Sequence, residues 1–307
     1  MATRVALALG SGGARGYAHI GVIEELCDRG YQVVGLAGSS MGALVGGLHA
    51  AGSLAEFAQW ATTLTQRAVL RLLDPSISAA GVLRAGRILD TVRDMLGGAV
   101  IEELPIPYTA VATDLLAGKS VWLQHGPVDE AIRASIAIPG VIAPHMHDGR
   151  LLADGGILDP LPMAPIAAVN ADLTIAVSLS APEADTADGL GAAGTGPSRE
   201  RLNRLLRSTS DLLSRLSTTA EPLDSEEESL PRLGSFAVMN RTIDIAQSAL
   251  ARHQLAAYPP DLLIGVPRTA CRSLDFHRAA EVIAVGRELT AHALDGLEEA
   301  QPPEPPA

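Results

Sequence analysis

Ser40 stands in the run Gly38-Ser39-Ser40-Met41-Gly42, a G-x-S-x-G between an apolar segment and a small-residue segment. At a strand-to-helix junction this spacing forces a tight turn that lifts the serine Oγ out of the sheet, and the small neighbours permit the strained backbone. The chemistry it suits is acyl transfer, with the hydroxyl attacking a carbonyl carbon. A serine there also sits at a helix N-terminus, where free backbone N–H groups favour negative charge. Upstream lies a second glycine-rich run, Gly10-Ser11-Gly12-Gly13-Ala14-Arg15-Gly16. The amides of Gly12 and Gly13 are candidates to hold the oxyanion formed when Ser40 attacks. By spacing alone, G-x-S-x-G also occurs in ordinary small-residue turns, so Ser40 needs support from the rest of the chain.

The elements that must carry these groups follow from periodicity. Val5 to Leu9 is a short apolar run suited to a strand buried on both faces, and Val33 to Ala37 is another. Between them Ile20, Val22, Ile23 and Leu26 recur at helical spacing, up to Gly30. Ala43 to Ala51 is compact and apolar, as a helix packed on a sheet would be. Two nucleotide-binding alternatives fail on the letters. A dinucleotide fingerprint beginning at Gly10 meets Arg15 where its last glycine belongs, and Ala37-Gly38-Ser39 replaces the acidic residue expected at the end of the second strand. A P-loop needs Gly-Lys-Ser/Thr, and Lys119 is the sole lysine.

The Gly12-Gly13-Ala14-Arg15-Gly16 loop, the Gly38 to Gly42 elbow and Asp154-Gly155-Gly156 further on resemble, in that order, the patatin-like phospholipase family of the bacterial, single-domain kind without a membrane span. The resemblance covers about half the chain. It implies an α/β fold of three α/β/α layers around a central, mostly parallel sheet. It also implies a serine–aspartate dyad without histidine, with Ser40 as nucleophile and Asp154 as base, and Gly10, Arg15, Gly16, Gly38, Gly42, Gly155 and Gly156 as motif residues. Lipid acyl esters such as phospholipids or lysophospholipids are the implied substrates, and no cofactor is called for. Ser11 is a departure, since the family often has glycine there.

Other residues compete for these roles. Asp154 by itself reads as a turn residue capping the next segment, and its place after the two earlier motifs puts it ahead of Asp159 and then Asp114 as the base; Asp148 serves a turn. A Ser-His-Asp triad on an α/β-hydrolase fold is the rival plan, but that fold sets several strands before its elbow and here two precede Ser40. Of the eight histidines, His19 and His49 are expected at the surface or core edge, and His253, His277 and His292 fall on late helices. No spacing of metal ligands is visible, and no metal is expected.

At 307 residues and 47% hydrophobic the chain can bury one large core or two small ones, and 3% aromatics make that core mostly aliphatic. A net charge of -12 and a pI near 5.1 argue against the basic footprint of a nucleic-acid binder and leave room for a local basic patch. Cys27 and Cys271 lack metal spacing, and Cys27 is expected as a small core residue. No signal-peptide-like stretch and no spanning apolar run appear, so a cytoplasmic protein is expected, with peripheral contact at a membrane left open.

The chain divides into a catalytic core over 1–181, a Pro-, Gly- and acid-rich insertion over 182–234, a helix-strand-helix over 235–300 completing the same domain, and a proline-rich tail over 301–307. Within the core, Leu54 to Leu73 forms one or two amphipathic helices covering the core, with a lid or membrane-touching role as the alternative. Arg84, Arg87 and Arg93 mark a solvated face, and Val141 to His147 with Arg150 to Ala153 a hairpin turning at Asp148-Gly149. The overall expectation is a serine hydrolase of lipid acyl esters, phospholipase, lysophospholipase or carboxylesterase. Transfer to another acceptor, and a weak or inert protein that binds or regulates, are the alternatives. The oligomeric state is not legible.

Overall fold

The computed structural model describes residues 2–72, 86–181 and 235–300. The proposed insertion, the tail, and the expectations for Leu73 and Arg84 lie outside the described residues. The centre is an eight-stranded sheet built from β1 (Arg4–Leu9), β2 (Gln32–Ser39), β3 (Tyr108–Asp114), β4 (Lys119–Leu123), β5 (His145–His147), β6 (Arg150–Asp154), β7 (Leu173–Ala181) and β8 (Leu262–Pro267). Its order is β5-β6-β3-β2-β1-β7-β8, with β4 also on β3. The strands from β3 to β8 along this path run parallel, while β4, β5 and β6 join antiparallel.

The helices are α1 (Ala18–Asp28), α2 (Met41–Ala50), α3 (Leu54–Thr62), α4 (Gln66–Leu72), α5 (Gly86–Leu96), α6 (Val128–Ser135), α7 (Ser235–Ala257) and α8 (Ala279–Ala300). They form the outer layers because the strands alternate two kinds of apolar residue. Val5, Leu7 and Leu9 of β1 point into a large core shared with α1, α2, α6 and α8. Ala6 and Ala8 point the other way, with Ala37 and Ala176, into a thin layer closed by Leu161, Met163, Ile166 and Ala251 of α7. The chain thus has the three-layer α/β/α fold. Among the described residues, no helix is long and apolar enough to cross a membrane.

The register along β3 brings two distant strand ends together. Its first half pairs with β2, ending at Ser39 opposite Val111. Its second half pairs with β6, beginning with Ala112 opposite Asp154. The ends of β2 and β6 therefore abut along β3.

Several local expectations change. The first arm of the hairpin shortens to His145–His147, because Pro144 offers no N–H to a ladder and Val141 and Ile142 are buried in a turn. Cys27 is exposed rather than in the core: it lies one position past Leu26, about 100° around α1 from the buried stripe. His19 is fully buried, neither at the surface nor at the core edge, because the first turn of α1 tucks beneath the glycine loop.

Candidate active site

Ser40 occupies the N-cap of α2 with φ 55 and ψ −122, a left-handed conformation that strains any residue except glycine. The turn is enforced by close packing: a Cβ on Gly38 would strike the Gly42 backbone, and one on Gly42 would strike the Leu9 carbonyl. Two neighbours brace it. The Ser40 amide donates to Ser135 Oγ at 2.9 Å, and that hydroxyl donates to the Val111 carbonyl at 2.6 Å. Ser39 Oγ donates to the Asp159 carbonyl at 2.5 Å.

Asp154 ends β6, and its Oδ2 accepts from Ser40 Oγ at 2.5 Å. The other oxygen, Oδ1, accepts from the Gly156 amide at 2.7 Å, which fixes the carboxylate's orientation. Gly155 and Gly156 let this segment press against β3 and the glycine loop, since a Cβ on the first would meet the Val111 carbonyl and one on the second Ser11 Oγ. Burial pushes the Asp154 carboxyl up to about 6 from its ordinary 3.8, against the opposite pull of the Ser40 and Gly156 hydrogen bonds. Asp159 is also pushed up to about 6 by burial, but its Oδ1 accepts from Gln254 at 2.5 Å. Asp114 accepts from the Leu116 and Ala117 amides and caps its own turn.

The glycine loop runs from the end of β1 over this pair. Gly10 donates to the Val177 carbonyl and Ser11 to the Pro160 carbonyl, at 3.0 and 2.8 Å, so Ser11 fits where glycine was the commoner expectation. Gly13 has φ 59 and lies so close to Ser273 that a Cβ would strike its carbonyl. Gly16 likewise allows Met41 to pack on the loop. Among the described residues neither the Gly12 nor the Gly13 amide has a hydrogen-bond partner.

Arg15 is only 4% exposed, and its Nε donates to the Gly12 carbonyl at 3.2 Å. Because C=O and N–H point opposite ways in a trans peptide, this turns the Gly13 N–H away from Arg15. The guanidinium is itself held by Ser273 Oγ at 3.1 Å and Asp244 at 3.4 Å. His19 Nε2 lies 2.8 Å from the Gly10 carbonyl, and burial lowers its pKa to about 4. A neutral, buried imidazole tied to the loop backbone is not placed to take a proton from Ser40.

Beside Ser40 opens an apolar pocket whose lining includes Leu44, Val69, Ile138 and Ile142. Of the chain's three phenylalanines, two tryptophans and four tyrosines, Tyr17, Phe57, Trp60 and Phe276 gather here, so the pocket is less aliphatic than the composition suggested. Trp60, Leu64 and Val69 from the α3–α4 region line it, which gives this amphipathic stretch a place at the site besides covering the core. A second pocket of mixed lining meets it at Gly13, Ser40, Ile138, Val141 and Leu274, and adds the polar residues Asp154, Asp244 and Ser273 beside Gly12.

Sequence spacing missed several of these groups. Ser135, Asp244 and Ser273 have no motif around them and reach the site through tertiary packing. The structure also brings Glu130 of α6 together with His145 and His147 of β5, whose ligand atoms lie within 4.8 Å of one another, although no ligand spacing was visible in the chain. Glu130 and His145 already form a contact of 2.5 Å.

A serine on a tight elbow at the end of a parallel strand, over a doubly covered sheet and under a glycine loop, defines a class of α/β/α protein. The particular family within that class is shown by comparison: the model of the Patatin-like phospholipase family matches residues 7–167, and the chain belongs to this family of lipid hydrolases. An uncharacterized NTE family protein of Mycobacterium tuberculosis is 64% identical over 96% of this chain and 92% of its own length. The lysophospholipase nte1 of Emericella nidulans is 30% identical over 62% of this chain and 13% of its own. Among solved structures, VipD from Legionella pneumophila aligns over 96% of this chain and 67% of its own, at 15% identity and a TM-score of 0.46.

Proposed function

We propose that this protein hydrolyses fatty acyl esters of lipids through an acyl-Ser40 intermediate, with Asp154 as the sole general base. The observation that carries the reading is the 2.5 Å contact between Ser40 Oγ and Asp154 Oδ2, with Ser40 in the lining of an apolar pocket. The acyl chain lies in that pocket. Asp154 takes the Ser40 proton as Oγ bonds to the ester carbonyl carbon, and the Gly12 and Gly13 amides receive the oxyanion. The tetrahedral species collapses, the C–O bond to the leaving alcohol breaks, and the alcohol takes the proton from Asp154. Water then attacks the acyl-serine, giving its proton to Asp154, which returns it to Ser40 as the fatty acid departs.

An Asp at its ordinary 3.8 is a weak base for a serine; one raised to about 6 is stronger and still mostly ionised at neutral pH. Membership in a lipid-hydrolase family and the lysophospholipase name carried by a relative support the substrate class. The test is labelling by a fluorophosphonate probe with mapping of the adduct, beside turnover of p-nitrophenyl esters of graded chain length. Wild type should label at Ser40 and turn over, and Ser40→Ala and Asp154→Asn should lose activity by roughly three orders of magnitude or more while staying folded. An Asp154→Asn variant of near wild-type rate would end the dyad assignment. A wild type that neither labels nor turns over would leave a binding or regulatory protein.

A further inference from the structure

Next to the second, mixed pocket, and sharing Arg15, Asp244 and Ser273 with it, lies a third pocket ringed by arginines. Arg241 comes from α7, Arg268 and Arg272 from the segment after β8, and Arg278 from the turn before α8. A concentration of cations in a chain of net charge -12 calls for an account.

Two of the arginines are already engaged. Arg15 pairs with Asp244, and Arg278 with Glu281 at 2.6 Å. Asp275, the pocket's other acid, accepts from the Arg272 backbone amide at 3.2 Å. Among the described residues no carboxylate lies in ion-pair contact with the Arg241, Arg268 or Arg272 side chain. Arg268 donates to Ser248 Oγ and to the Asp244 carbonyl, while its buried Nε has no partner among the described residues. Burial and the field of Arg241, Arg15 and Arg252 all push the Arg268 pKa down, with Asp244 pulling the other way. Like charges crowded beside an unmet donor are relieved by an anion.

The position of the pocket selects the anion. Ser40 lines both the apolar pocket and the mixed one; the apolar pocket shares no lining residue with the arginine pocket, whereas the mixed one shares Arg15, Asp244 and Ser273 with it. An ester bound with its acyl chain in the first directs its alcohol portion towards the second. We propose that Arg241, Arg268 and Arg272 form a subsite for the phosphate of the substrate's own head group, and that it favours an anionic phosphomonoester head over a phosphocholine. A phosphomonoester carries close to about two negative charges near neutral pH, and guanidinium forks match its oxygens. The lining sets Arg15, Arg241, Arg268, Arg272 and Arg278 against Asp244 and Asp275, so a choline's cation meets a net positive wall. This rests on the acyl-ester reading of Ser40 and adds which ester is preferred.

The experiment has two arms, using the full chain and the variants Arg241→Gln, Arg272→Gln and their double. In the binding arm, Ser40→Ala protein is titrated with hexadecyl phosphate, hexadecanol and inorganic phosphate by calorimetry. Hexadecyl phosphate should bind at least about tenfold tighter than hexadecanol, and the double variant should close that gap. Equal affinities, or a gap that survives in the double variant, overturn the subsite. Inorganic phosphate binding as tightly as hexadecyl phosphate without competing against it would assign the pocket to the free ion and likewise overturn the head-group reading.

In the turnover arm, lysophosphatidate, lysophosphatidylcholine and monoacylglycerol with one acyl chain are compared. Lysophosphatidate should have the highest kcat/KM, each variant should cost it about tenfold, and monoacylglycerol should be unchanged. A preference for lysophosphatidylcholine, or equal losses on all three esters, overturns the proposal while leaving the hydrolase intact. If no ester is cleaved, the hydrolase reading fails and the binding arm still decides the subsite.

Discussion

Ser39 and Asp154 meet β3 at consecutive positions, the first opposite Val111 and the second opposite Ala112. β3 thus acts as a ruler, setting the elbow that begins one residue after Ser39 against the end of an antiparallel strand that is more than a hundred residues away in sequence. The hydrogen bond between Ser40 and Asp154 depends on register, so a shift in pairing would separate them.

The pH dependence of turnover should follow from Asp154. With its carboxyl raised to about 6, Asp154 acting as the proposed base is protonated and idle below that pH, so kcat/KM for a neutral ester should rise through pH 6 and level off by about pH 7. A pH-rate profile checks this; an acid limb near 4 would show that burial does not tune the base.

Stability should move the opposite way. A carboxyl whose folded pKa lies above its unfolded 3.8 binds more protons folded than unfolded between pH 4 and 6, so its contribution to stability falls as pH rises through that window. Asp154→Asn removes this cost and keeps an acceptor for the Gly156 amide, so its Tm should equal wild type near pH 4 and exceed it at pH 7, by about 1–3 kcal/mol in stability. His19, lowered to about 4 from 6.5, has the reverse sign, losing stability as pH falls through 6.5 towards 4. The wild-type curve is therefore flattened, and the difference between the two proteins across pH is the quantity to measure by thermal denaturation.

Removing the Ser135 hydroxyl should slow chemistry without weakening binding. Ser135→Ala leaves the Ser40 amide and the buried Val111 carbonyl without their shared partner, at a cost of about 1–3 kcal/mol, and loosens the strained elbow at Ser40. Steady-state kinetics should give a kcat about tenfold or more lower with KM nearly unchanged. A change confined to KM would contradict the bracing role.

Trp60 offers a handle on chain length. Its ring lies tilted against that of Phe57, with centroids 5.7 Å apart, in the lining of the apolar pocket. Trp60→Ala should lengthen the preferred acyl chain among p-nitrophenyl esters while leaving the rate on acetate esters within about twofold. An unchanged chain-length profile would place the acyl chain elsewhere.

The parts of the site that could be read from the letters are those whose geometry is made within a few residues. The glycine loop, the elbow at Ser40 and the alternation of large and small residues on β1 are local patterns, and so the layers were legible too. Asp154 was legible only in company, since a lone Asp-Gly-Gly is also a turn. Ser135, Asp244 and Ser273 were not, because an isolated serine or aspartate acquires its role from contacts between distant elements. The burial of His19 and the exposure of Cys27 depend on which way α1 is rotated, by about 100° per residue, and apolar spacing fixes that only coarsely.

Arg15 connects the glycine loop to Ser273, 258 residues along the chain, and Ala14 donates to the Ser273 carbonyl. The serine elbow is made well over a hundred residues before the clasp that sets the loop above it. A nascent polypeptide on the ribosome, or one clipped before residue 273, is then expected to carry the elbow serine exposed beside an unset glycine loop. Such a chain should label slowly with fluorophosphonate, so that the ability to cleave lipid is delayed until Ser273 has been made.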